Sequence, residues 1–211
     1  MAGHTRMPQS FLHRVVDEEK RLHVVREVNR AFGAKRDASH VMVDNPVSLD
    51  RSNLGRLESE DYTVAFKADG VRYVLVLCMY RSRPLACMVD RAGTVYSLVV
   101  FAPAPHFEAG SVFDGELCEV VTGRNVYDYL VFNALRDQGA QLAGLPYPSR
   151  LSHVERNFSA DPVPPPDRAR LQQCVLAEST RLNLVRKEHA GAVNLRAMIH
   201  SVTPRYRCDG F

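Results

Sequence analysis

Apolar positions repeat with two different periods along this chain, and the change of period divides it. Over residues 10–32, Phe11, Val15, Leu22, Val25, Val28 and Phe32 recur at helical spacing, with Gly33 as a stop. This predicts an amphipathic helix. A polar stretch, AKRDASH, follows, and VMVDNPVSLDRSNLGRLESED reads as a loop with a short helix. From residue 62 to 135 the pattern alternates every second residue. The predicted strands are YTVAF, RYVLVLCMY, LACMVD, TVYSLVVF, SVFDGELCEVV and VYDYLVFNAL. RAG and TGRN read as hairpin turns, and such short links imply antiparallel pairing. Residues 147–158 read as helix and DPVPPPD as a proline loop. Asp167 then caps a predicted helix over RARLQQCVLAEST, and a further helix fits NLRAMIHSV. RYRCDGF begins another strand, in which the chain ends. The pattern predicts an α+β fold, with a helical region over 1–43 and an antiparallel-sheet domain with packed helices over 44–211.

Composition narrows this little. The chain has 211 residues, 45% of them hydrophobic and 24% charged, as in ordinary globular proteins. A net charge of +3 permits a polyanionic partner without demanding one. No stretch approaches the roughly 18 apolar residues that span a bilayer, and the N-terminus lacks a secretory signal. The five cysteines, in no CxxC pairing, read as reduced and buried, in an intracellular protein.

Chemistry enters at KADGVRY, residues 67–73. The plain reading of Asp69-Gly70 is a hairpin turn with a solvated lysine beside it. The functional reading makes Lys67 a nucleophilic amine, with Arg72 as the cation that lowers its pKa or holds a phosphate. In SVFDGELCEVV, alternation puts Asp114, Glu116 and Cys118 on one face and Phe113 and Leu117 on the other. Two acids in so apolar a segment are either exposed or used to bind a ribose or a metal. Phe132 is a core residue or a platform on which a base stacks. Asp209, in RCDGF, is a second candidate metal acid.

The ordered series KADG, DGEL, YLVF and DG resembles the motif series of the covalent nucleotidyltransferases, the mRNA capping enzymes and the ATP-dependent DNA and RNA ligases. Within these the chain is most similar to the GTP:RNA guanylyltransferases, in particular the compact capping enzymes of large DNA viruses. NPVSLDRSNL, VDRAGTVYSL and SVFDGELC extend the likeness across about residues 44–211. Ala68 after the lysine and Tyr73 after the arginine fit capping better than ligation.

The resemblance implies that Lys67 attacks the α-phosphate of GTP to form a lysyl-GMP intermediate, which a 5′-diphosphate RNA end then resolves. It implies that Arg72 contacts the ribose or the accepting RNA, and Arg91 the phosphates. Glu116 would bind ribose or metal and Phe132 would stack on guanine. Asp209 would help hold Mg²⁺ or Mn²⁺, while Asp69 and Gly70 shape the turn. It also implies RNA triphosphatase or cap methyltransferase modules as partners, although the N-terminal helix reads better as a cover for its own domain. Capping leaves the compartment open between a nucleus and a viral cytoplasmic factory. The family has a further motif with two phosphate-gripping lysines and an OB-fold lid. Neither is found in this sequence, which therefore reads as a nucleotidyltransferase domain lacking the C-terminal OB-fold and truncated there. Asn133 stands where the family commonly has an acid. The alternatives are an ATP-dependent ligase and an inactive nucleotide- or RNA-binding remnant.

Overall fold

A computed structural model describes residues 12–34, 41, 50–53, 55–121, 126–159, 174–177, 180–191 and 204–210. Its strands are β1 (His13–Arg14), β2 (Thr63–Val64), β3 (Lys67–Ala68), β4 (Val71–Tyr80), β5 (Arg83–Asp90), β6 (Val95–Leu98) and β7 (Ser111–Glu119). They continue with β8 (Val126–Asp137), β9 (Ala140–Gln141), β10 (Cys174–Ala177), β11 (Thr180–Arg186), β12 (Ala190–Gly191) and β13 (Cys208–Gly210). The α-helices are α1 (Glu18–Ala31), α2 (Arg56–Ser59) and α3 (Tyr147–Asn157), and a π-helical turn spans His106–Gly110.

One nine-stranded sheet runs β1-β6-β5-β4-β7-β8-β11-β10, with β9 on β8. Two small ladders flank it, β12 with β2 and β13 with β3. β4 sits at the centre and is buried on both faces, so it reads as an almost continuous apolar run. Its odd positions, Tyr73, Leu75 and Leu77, join Met88, Phe113, Tyr129 and Phe158 under α3. Its even positions, Val74 and Val76, meet Val24, Val25 and Val28 of α1. The apolar face of the N-terminal helix is thus used within the chain.

Several expectations change. The first helix starts at Glu18 rather than near residue 10, because Asp17 caps it, accepting the Lys20 N–H at 3.0 Å. Just before it, His13–Arg14 forms β1, which pairs with β6. The helix expected over 168–180 is contradicted where it is described: Cys174–Ala177 and the following Thr180–Arg186 are strands. Leu182 and Leu184 enter one core and Val185 the other, a period of two that the ladder with β8 enforces over local helix propensity. That ladder is parallel, the exception in an otherwise antiparallel sheet, and α3 lies in the crossover that parallel pairing requires. The segment NLRAMIHSV and the TGRN turn lie outside the described residues. Cys78, Cys87 and Cys118 are free and buried, as expected, whereas Cys208 is exposed. None of the described helices is long and apolar enough to cross a membrane.

Candidate active site

YTVAF was expected to form one strand, turned back at Asp69-Gly70 onto the next. Instead it splits. β2 pairs with β12, and β3, which carries Lys67, pairs with the distant β13, setting Lys67 opposite Gly210 and Ala68 opposite Cys208. The Asp69 N–H donates to the Arg207 carbonyl at 2.8 Å, so the first and last of the three Asp-Gly pairs in the sequence meet at this small ladder. Beneath it lies a compact apolar cluster of Ala68, Cys118, Leu130 and Val185, with Tyr206 packed against it. The lysine strand therefore rests on β7, β8 and β11 together.

Gly70 makes that approach possible. A Cβ there would lie 2.5 Å from Cys118 Sγ and 2.6 Å from the Leu117 carbonyl oxygen. The glycine thus admits a close backbone approach, to β7. Its N–H also donates to the Glu116 side chain.

Glu116 is the hub of the cluster. Burial pushes its carboxyl above the usual carboxylate range, opposed by Lys187, by the Gly70 N–H and by the charge of Lys67. The Lys187 ammonium stands 3.7 Å from Glu116 Oε2 and 5.6 Å from the centroid of the Phe132 ring. The Arg72 guanidinium is 5.9 Å from the same centroid. Arg72 is clamped by Asp114, Nε to Oδ1 at 3.0 Å and Nη2 to Oδ2 at 2.5 Å, a two-pronged pair that fixes the plane of the guanidinium. Lys67, Arg72, Glu116 and Phe132 are thus brought together. The strand faces are as read: Phe113 and Leu117 enter the large core, Cys118 the small one.

Phe132 owes its orientation to a break in the ladder. Asp114 faces Asn133 while the adjacent Gly115 faces Val131, so Phe132 is the extra residue of a β-bulge. Bulges of this kind re-aim a side chain. Below the bulge the Tyr129 hydroxyl donates to the Tyr73 carbonyl at 2.7 Å and accepts the Leu75 N–H at 3.2 Å. A Cβ on Gly115 would lie 2.6 Å from the Tyr129 ring, so the glycine of DGEL makes room for the tyrosine of YLVF. The Asn133 side chain, where an acid was the family expectation, accepts a hydrogen bond from Arg150 at 2.8 Å.

Arg91 sits exposed in the turn between β5 and β6. Because Tyr73 pairs with Asp90, that turn lies at the end of the sheet where β4 begins, beside Arg72. Asp209 is the middle residue of β13, between the partners of Ala68 and Lys67. Two features escaped the sequence reading, the part played by Lys187 and the partner of Asp114. Lys187 was hidden because the residues after the helix read over 168–180 were assigned no element, and the spacing of Leu182 and Leu184 was its one signal. Asp114 was noted as an acid on the right face, but its arginine partner needed the register of β4 on β7, in which Arg72 faces Glu116 and Val74 faces Asp114.

Comparison with known proteins bears on the family. Residues 4–201 match the family model described as mRNA capping enzyme, catalytic domain. The chain is 33% identical over 121 residues to the mRNA-capping enzyme subunit alpha of Neurospora crassa, covering 51% of this chain and 30% of that protein. It is 29% identical over 128 residues to the mRNA-capping enzyme of Danio rerio, covering 54% of this chain and 19% of that protein. The match to the subunit alpha of Schizosaccharomyces pombe is 30% over 106 residues, or 44% and 26% of the two chains. The matched region therefore spans less than a third of these relatives. With a family match over most of its length, the chain belongs to the mRNA capping enzyme catalytic-domain family.

Proposed function

We propose that the chain works as a GTP:RNA guanylyltransferase through a lysyl-GMP intermediate on Lys67. The observation that carries this reading is the position of Lys187, whose single ammonium adjoins both the Glu116 carboxylate and the Phe132 ring, with the charge of Lys67 also felt at Glu116. An aromatic face, a hydroxyl-binding carboxylate, cations and an amine nucleophile are what a nucleotide-transfer site needs together.

In the first step a bond forms between Lys67 Nζ and the α-phosphorus of GTP. The bond to the bridging oxygen breaks, pyrophosphate leaves, and the amine gives up its proton. In the second step an oxygen of a 5′-diphosphate RNA end attacks the same phosphorus and the lysine leaves. Splitting one transfer between two substrates into two displacements is the gain of covalent catalysis. Arg72 and Lys187 oppose the negative charge that gathers on the phosphoryl oxygens, in positions fixed beforehand by Asp114 and Glu116. Phe132 stacks the guanine, and Arg91 reaches the phosphates from the β5–β6 turn.

A divalent ion, Mg²⁺ or Mn²⁺, belongs to this reading. Among the described residues no group of three or more His, Cys, Asp or Glu could hold a metal ion. That suits an ion held by one or two carboxylates and the substrate's own phosphates, rather than a resident protein cage. Glu116 and Asp209 are the acids that would hold it. When bound it would neutralise phosphate charge.

The test is incubation with α-labelled GTP or ATP and a divalent ion. An acid-labile, base-stable adduct from GTP, absent in Lys67→Ala, is the expected result. Label from ATP alone would make the chain a ligase. No label from either nucleotide would make it a binding remnant.

A further inference from the structure

The extra residue of a bulge has a carbonyl outside the ladder, and something must satisfy it. Here it is Tyr147, the first residue of α3, whose hydroxyl donates to the Phe132 carbonyl at 2.8 Å. The same hydroxyl lies 2.9 Å from His189 Nε2, and His189 Nδ1 lies 2.9 Å from the Lys187 carbonyl. The Lys187 N–H in turn donates to the Val131 carbonyl at 2.7 Å. One short chain of contacts therefore runs from the backbone of the residue read as the base platform to that of the residue read as the phosphate cation.

Counting protons makes this chain more than a brace. A carbonyl only accepts, so Nδ1 of His189 must carry a proton toward Lys187. The single Tyr147 proton can go to Phe132 or to His189, but not to both. If it goes to Phe132, the 2.9 Å contact with Nε2 needs a second proton on the imidazole. With a neutral ring one contact goes unmade, and with an imidazolium all three are made.

We propose that Tyr147 and His189 are positioning residues that clamp the Phe132 bulge to the Lys187 segment and so set nucleotide affinity, with the clamp complete only when His189 is doubly protonated. This rests on the guanylyltransferase reading for the identity of the nucleotide. The groups that face the clamp are Arg150 from α3, whose guanidinium lies 5.4 Å from the Tyr147 ring centroid, Asp114 from β7, and Lys187, Arg186 and Glu188 on its own segment. Burial, then the charges of Lys187 and Arg186, depress the His189 pKa, against a rise from its bond to the Lys187 carbonyl. Near neutral pH the ring is therefore neutral and the clamp is one proton short. Acidification completes it.

The experiment uses the full chain. Binding of a fluorescent GTP analogue and the rate of adduct formation are measured from pH 5.5 to 8.5 for wild type, Tyr147→Phe and His189→Gln. Folding of each is checked by thermal melt. Loss of one hydrogen bond of about 1 kcal/mol predicts a dissociation constant raised about three- to tenfold in Tyr147→Phe, with the rate at saturating nucleotide changed less than about twofold. In wild type, affinity should rise as pH falls through the depressed His189 pKa, and both variants should flatten that rise. A folded Tyr147→Phe with wild-type affinity and wild-type pH dependence overturns the proposal. A second readout needs no nucleotide: ¹⁵N chemical shifts of the His189 ring should show Nδ1 protonated at pH 7.5 and both nitrogens protonated at low pH. Nδ1 unprotonated at pH 7.5 also overturns it. Wild type that takes no label from GTP sinks the guanylyltransferase reading instead, and the ring shifts then decide the clamp by themselves.

Discussion

Two of the arginine–carboxylate pairs in this molecule, Arg136–Glu27 and Arg72–Asp114, are alike in chemistry and different in setting. Arg136 on β8 meets Glu27 on α1, with side-chain exposures of 9% and 11%. Glu27 also takes Arg30 at 2.8 Å, and the Arg136 guanidinium presses on Gly110, where a Cβ would lie 2.6 Å from its Nη2. Protein closes around this pair. Arg72 meets Asp114 with exposures of 22% and 1%. There only the acid is sealed, and the arginine keeps one side toward Phe132. A pair buried on both sides is part of the fold's support. A pair buried on one side leaves its cation within reach of solvent, as the proposed nucleotide site requires.

The largest effect that would sharpen this contrast is catalytic. Lys67 is exposed, so Lys67→Ala should leave the melting temperature unchanged while adduct formation falls on the order of a thousandfold or more. Next is Glu27→Gln. Removing one partner strands the Arg136 charge in the interior, so stability should fall by about 3–5 kcal/mol in denaturant titration. Adduct yield, measured well below the melting point, should stay near wild type. Asp114→Asn should show the reverse. Arg72 can reach water, so the loss of stability is about 1–2 kcal/mol, yet the freed guanidinium should cut the labelling rate about tenfold. Equal stability losses in these two variants would break the comparison.

The smallest effect has the opposite sign. Burial raises the Glu116 pKa, so the folded state holds that proton more tightly than the unfolded chain does. Its contribution to stability is present below the unfolded value, near 4.5, and is lost as pH rises through the raised one. Glu116→Gln should therefore melt a few degrees higher than wild type at pH 7.5, with the difference vanishing below pH 4.5. Greater stability together with lost labelling would mark a carboxylate kept charged at the expense of the fold.

The sequence shows one of these regions more clearly than the other. The sheet is legible because β4, β5, β7 and β8 carry strong alternation or unbroken apolar runs, and their neighbours in space are mostly their neighbours in sequence. α1 is legible from its valine spacing, although its start depended on whether Asp17 or an earlier residue caps it. The candidate site residues Lys67, Arg72, Glu116 and Phe132 were picked out through the order of their motifs, because a motif marks a residue without needing its partners. The partners themselves were hidden. That β3 pairs with β13, over a hundred residues away, leaves no local trace. Lys187 follows a strand whose apolar period is short and whose pairing with β8 is parallel. Asp114 binds Arg72 only through the register of two strands, and the bulge that frees Phe132 is a property of the ladder rather than of VYDYLVFNAL.

The central claim is that Lys67 is the nucleophile of a nucleotide-transfer site. Its most direct test is intact-mass and peptide analysis of the protein after incubation with GTP and Mg²⁺ or Mn²⁺. The account predicts one added GMP, carried on the peptide that contains Lys67, discharged by pyrophosphate or by 5′-diphosphate RNA. A GMP found on another residue, or an adduct that survives in Lys67→Ala, would contradict it.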